Sequence, residues 1–150
     1  MTESSATSAG AVTGGVRTLL RAEGAALFLG PTVFYALTDA PWELYALVFF
    51  APDLGLLGYL LGRRIGAIGY NALHTTIGPL LLAIAGVLTA EPLAGAIATI
   101  WLAHIGFDRM FGLGLKYATG FRFTHLGRIG KQPDAKPADR ATIDPAPKAA

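Results

Sequence analysis

The sequence predicts an all-α, four-helix transmembrane bundle with both termini cytoplasmic. Three observations carry that expectation. Four apolar segments of about 20 to 25 residues follow one another, each the length of a helix crossing a ~30 Å hydrocarbon core. The charge is too sparse for an ordinary soluble domain, at 15% Asp, Glu, Lys and Arg against about 25%. The basic residues also all fall to one side of the proposed spans.

The first helix is expected at about 18–37, "TLLRAEGAALFLGPTVFYAL". Arg21 and Glu23 shorten its apolar part, so its first turn is placed at the membrane interface. The second is expected at about 41–61, "PWELYALVFFAPDLGLLGYLL", with Pro41 in its first turn, where a missing N–H costs little. Pro52 cannot bond the carbonyl four residues back, so a kink is expected there. The third is expected at about 65–89, "IGAIGYNALHTTIGPLLLAIAGVLT", and the fourth at about 92–116, opening on Pro92. The connections "TDAPWE", "GRRIG" and "TAEP" are short and turn-like. Connections this short make sequential helices antiparallel neighbours.

Residues 1–16, "MTESSATSAGAVTGGV", lack the basic and apolar regions of a signal peptide and read as a disordered lead-in. Residues 117–130 mix aromatic and basic side chains, as a segment at the headgroup level does. Residues 131–150, rich in Pro, Ala and charge, read as a disordered cytoplasmic tail. All 12 Lys and Arg lie before or in the first turn of helix one, in the second connection, or at and beyond the end of helix four. The other two connections carry Asp39, Glu43 and Glu91 and no base. The positive-inside rule then places the basic face of this multi-pass protein in the cytoplasm.

The net charge of +2 and pI near 9.1 do not indicate nucleic acid, because topology accounts for where the positive charges fall. The expected partner is the lipid bilayer, with a homo-oligomer as an open alternative. The chain contains no cysteine, so it has no thiolate nucleophile and no Cys-based metal site. It also lacks a Walker loop, a G-x-S-x-G elbow and an H-E-x-x-H motif.

Polar groups nevertheless enter the apolar spans. Asp53 lies ten residues before Arg63, and His74 lies ten after Arg64. His104 and Asp108 precede Lys116 by 12 and eight. At a ~1.5 Å rise per residue, three helices deliver all four to one layer, roughly 12 to 18 Å from the basic face. Ionisable groups at that depth are costly and call for a reason. His104 and Asp108 share a helix face at i, i+4, and Asn71 and His74 share one at i, i+3. Gly55, Gly58, Gly62, Gly66, Gly69, Gly112 and Gly114 gather in the same half and permit close helix approach.

Three readings stay open. The layer is structural polar glue between helices, a divalent metal site of imidazole and carboxylate suited to Zn, Mn or Fe, or a proton or ion path through an oligomer. In the metal reading Asp53, His74, His104 and Asp108 are ligands and His125 is a possible fifth. Asn71 supports the layer. Arg109 is either a counter-ion to Asp108 or Asp53 or a residue snorkelling to the interface. Arg109 and Lys116 are candidates to hold an anionic head group. No catalytic residue is assigned.

The blocks "APDLGLLGYLLGRRIGAIGYNALHTTIGPLLL", "WLAHIGFDRMFGLGLKY" and "GFRFTHLGRIG" resemble a bacterial family of small integral membrane proteins, domain of unknown function number 4260. The resemblance covers about residues 17–131. It implies a four-helix membrane protein and brings no established activity. A fainter resemblance is to inner-membrane metal-dependent hydrolases of the DNA-damage-inducible kind. Pro52-Asp53, His74-Thr75 and His104-x-x-x-Asp108 look like three of that family's blocks in the same order. That family's first block continues into a second Asp and a His, where this chain reads "PDLGLLGY". Its His block opens with a further His-Arg pair, where this chain reads "YNALHTT". This second resemblance implies a metal-dependent membrane hydrolase acting on a lipid or phosphoester, with a metal-activated water as nucleophile.

Overall fold

The computed structural model describes residues 11–130. Residues 1–10 of the expected lead-in and the tail 131–150 lie outside the described residues, while α1 begins at Gly14, within the stretch expected to be a disordered lead-in. The chain is mostly helical: α1 Gly14–Ala36, α2 Trp42–Phe49, a 3₁₀ helix Ala51–Leu61, α3 Arg63–His74, α4 Ile77–Thr89 and α5 Pro92–Phe111. A two-stranded antiparallel hairpin follows, β1 Phe123–Thr124 and β2 Gly127–Arg128.

α5 is the organising element. α1 packs along it, and α4 and α2 pack on its other sides, while the 3₁₀ helix packs against α3. Gly24 lets α1 lie directly on α5, since a Cβ there would sit 2.6 Å from the Met110 backbone nitrogen. Gly55 does the same for the 3₁₀ helix, where a Cβ would lie 2.8 Å from the Gly69 carbonyl oxygen. Tyr35, Phe49, Ile100 and Ala103 form the buried apolar centre between α1, α2 and α5.

Two helical stretches, Trp42–Leu61 and Arg63–Thr89, each made of two successive helices, are long and apolar enough to cross a membrane. Only 17% of each apolar window is buried inside the protein. A core helix of a soluble domain would bury most of it. Here the large apolar side chains point outward, with Leu60 84% and Val87 81% exposed.

Three departures from the expected helices have local causes. At Pro52 the structure changes helix type rather than kinking: α2 ends at Phe49, and Asp53 N–H bonds the Phe50 carbonyl at 3.2 Å, a 3₁₀ spacing. The third helix breaks at Thr75, whose ψ of 144° is extended. Pro79 lies four residues on, and its ring cannot coexist with a helical carbonyl at that position. The Trp101 indole N–H donates to the Leu73 carbonyl at 2.6 Å beside the break. The fourth helix stops at Phe111 rather than continuing to 116. Gly112 turns left-handed (φ 84°) and Leu113 N–H bonds the Asp108 carbonyl at 2.8 Å, a Schellman ending. The Arg21 Nε donates to the nearby Met110 carbonyl at 2.8 Å.

Beyond Gly112 the chain folds back under the helices. Lys116 bridges to Thr124, and Leu126 and Thr124 are buried. Val12 N–H bonds the His125 carbonyl at 3.0 Å, so the two ends of the described chain meet at one pole of the molecule.

Candidate metal centre

Each of the four residues at the polar layer is positioned by its own element. Asp53 stands in the first turn of the 3₁₀ helix, immediately after Pro52. His74 is the last residue of α3, before the break at Thr75. His104 and Asp108 lie one turn apart in α5 and are both buried. One ligand atom from each of the four lies within 4.8 Å of the others.

The separations are specific. His74 Nε2 is 3.0 Å from His104 Nε2, 3.4 Å from Asp108 Oδ2 and 3.6 Å from Asp53 Oδ1. His104 Nε2 is 3.8 Å from the same Asp53 oxygen. Four ligands placed tetrahedrally at ~2.0 Å from one ion stand about 3.3 Å apart. The observed distances bracket that value. His74, His104 and Asp108 are buried, whereas the Asp53 side chain is 40% exposed and forms the open side.

A supporting shell surrounds the four. The His74 Nδ1 lies 2.8 Å from the Tyr70 carbonyl, which fixes Nδ1 as the donor and turns an unprotonated Nε2 inward. The Tyr70 ring stacks on the His74 imidazole, with centroids 3.6 Å apart, and its hydroxyl donates to Asp108 Oδ2 at 2.5 Å. Phe49 meets His104 edge-on at 5.3 Å. The His104 Nδ1 is buried with no hydrogen-bond partner. Hydrogen bonds to the far nitrogen and to a ligating carboxylate are the usual second layer of a metal site. His74 and Asp108 have theirs, and His104 is held by packing.

The other residues marked in the sequence fall around this cluster. Asn71 grips the backbone of Lys116 from both sides, its Oδ1 accepting from Lys116 N–H at 2.7 Å and its Nδ2 donating to Lys116 O at 2.9 Å. Lys116 is buried, with its ammonium 4.3 Å from the Tyr70 ring centroid and 3.9 Å from that of Phe121. Burial pushes its pKa down, while the charges of Asp108 and Asp53 hold it up. Arg109 is half-buried, with Glu23 of α1 the acidic group acting on it, and it lines a small gap together with His74 and Asp108. His125 lies outside the four; its Nδ1 accepts from Leu115 N–H at 2.9 Å.

Tyr70 is the residue that sequence reasoning missed. The signal was present, because Tyr70 sits four before His74 and therefore on its helix face. An aromatic in an apolar helix reads as packing, and nothing local announces a hydroxyl aimed at a carboxylate 38 residues away.

No curated protein and no solved structure matches this chain. The likeness to membrane hydrolases therefore has no support from these comparisons. The model of the family described as a domain of unknown function (DUF4260) matches residues 17–129, and the chain belongs to that family.

Proposed function

We propose that this protein is a four-helix, multi-pass protein of the bacterial inner membrane whose core binds one divalent transition metal through Asp53, His74, His104 and Asp108. The reaction we assign to that centre is hydrolysis of a membrane-borne ester or phosphoester. The observation that carries the reading is the convergence of two imidazole nitrogens and two carboxylate oxygens within 4.8 Å. Charge balance points the same way. Two carboxylates in an apolar layer, with Lys116 the nearby cation among the described residues, leave negative charge that a divalent ion offsets. Zn, Mn and Fe suit this donor set.

A bound ion of this kind supplies Lewis acidity at the half-exposed Asp53 side. The chain's own residues set the geometry. Tyr70 holds the Asp108 carboxylate by its hydroxyl and the His74 ring by its carbonyl. Asn71 fixes the backbone of Lys116, so the ammonium stays close to the centre. Membrane placement is supported by the two long apolar helices, by their outward-facing side chains and by the one-sided distribution of Lys and Arg.

A structural polar core is the second reading. The His74–His104 and Tyr70–Asp108 hydrogen bonds favour it, because they join α3 to α5 without any ion. Elemental analysis of the detergent-purified protein separates the two. The metal reading expects close to one transition metal per chain in the wild type, or after reconstitution with Zn, Mn or Fe, and its loss in His104→Ala. No metal in either protein after reconstitution would leave the structural core standing.

A further inference from the structure

A second site, remote from the four ligands, lies at the pole where the chain's ends meet. A cleft of about 410 Å³ opens there, lined by Thr13, Gly14, Arg17, Phe111, Arg128 and Gly130 among others. The geometry points to a binding site for a phosphate-bearing anion, held between the guanidinium groups of Arg17 and Arg128.

Four observations support it. No acidic side chain lines the cleft among the described residues, and neither arginine has an ion pair there. The Arg17 Nε is buried with no hydrogen-bond partner. Two glycines with positive φ shape the cradle. A Cβ at Gly127 would lie 3.1 Å from the Arg17 guanidinium carbon, and one at Gly112 would lie 3.7 Å from its terminal nitrogen. The guanidinium therefore packs closely on the Gly127 backbone, where a side chain would crowd it, and lies at ordinary contact distance from Gly112. The first turn of the 23-residue α1 forms one wall, and its cap residue Thr13 makes no side-chain hydrogen bond to the free N–H groups. Two guanidinium forks and unfilled helix-end donors together match the oxygens of a phosphate.

The rim indicates where such an anion comes from. Phe111 and Val16 beside the cleft are each 58% exposed, and the cleft lies at the ends of α1 and α5. An anionic phospholipid offers a phosphate to the arginines and an acyl chain to that apolar rim; a free phosphate offers the first alone.

Native mass spectrometry of the full chain in detergent tests the site. The probes are phosphatidylglycerol, phosphatidylcholine and inorganic phosphate. The proteins are wild type, R17Q, R17K, R128Q and R122Q, the last altering an exposed arginine outside the cleft. Wild type and R122Q should retain one phosphatidylglycerol in preference to phosphatidylcholine. R17Q and R128Q should retain it about tenfold more weakly, with R17K between. Arg128 is exposed and touches the ring of Phe123 only at 5.4 Å, so R128Q tests the site with less disturbance of the packing than R17Q. Displacement of the lipid by millimolar inorganic phosphate would mark the ligand as a free phosphate, and resistance to it would mark a lipid head group. Equal retention by all five proteins, or no preference between the two lipids, would overturn the assignment.

Discussion

At the scale of residues, the polar groups of the centre hold one another, with the buried His104 Nδ1 the exception. Tyr70 is the sharpest case. Removing its hydroxyl leaves the stacked ring and the carbonyl that orients His74, but frees Asp108 Oδ2. Tyr70→Phe should therefore keep the fold and weaken metal binding by about 10- to 100-fold, the usual effect of losing an outer-layer partner. A chelator-competition titration reads this directly, and unchanged affinity would remove Tyr70 from the account. The four residues of the cluster were legible in the sequence. His104 and Asp108 announce a shared helix face by their spacing, and Asp53 and His74 announce a shared depth by their distance from Arg63 and Arg64. The directions of Lys116 and Arg109 were not legible, because long side chains near a helix end can reach water, lipid or core alike. Lys116 turns into the core through a backbone clamp from Asn71 that lies 45 residues away in sequence.

At the scale of elements, punctuation by Pro and Gly decided what periodicity alone could not. Hydrophobic length gave the apolar stretches, but not the change to 3₁₀ after Phe49, the break at Thr75 or the end of α5 at Phe111. Each of these places a functional group. The 3₁₀ helix brings Asp53 inward, the break leaves His74 terminal, and the Schellman ending turns the chain back so that Lys116 returns to the cluster. Gly112→Ala should cost about 1 kcal/mol, because its left-handed backbone (φ 84°) disfavours a Cβ. The measurement is the thermal unfolding of the detergent-solubilised protein. The returning hairpin carries a pH dependence of its own. Burial, with the charge of Arg109 adding to it, lowers the pKa of His125 below its ordinary 6.5. The folded hairpin therefore prefers neutral His125, and the unfolded chain binds the extra proton. Stability from this group is complete above about pH 6.5 and declines as pH falls toward the lowered value. The protection factor of the Leu115 amide, which donates to His125 Nδ1, should fall across that window. His125→Asn should abolish that fall.

At the scale of the whole molecule, the arrangement is an apolar exterior around a polar layer, with arginines gathered at one pole. Arg17 and Arg128 share a cleft although 110 positions separate them in sequence. Even-numbered spans predict this meeting, since they return the chain to the face it started from. The proposed topology is testable with unusual ease because the chain contains no cysteine. Single cysteines at Asp39 or Ala90 should react with an impermeant thiol reagent added to intact cells, and one at Gly130 should react only after lysis. Labelling of Gly130→Cys from outside would reverse the orientation.

The central claim is that two imidazoles and two carboxylates from three helical stretches hold one ion. X-ray absorption at the edge of the metal bound to the reconstituted protein tests it most directly. The account predicts a four- or five-coordinate N/O shell near 2.0 Å with outer scattering from two imidazoles, falling to one in His74→Ala. A six-coordinate shell of oxygens with no imidazole scattering would contradict it, and would return Asp53, His74, His104 and Asp108 to the role of a polar seam between helices.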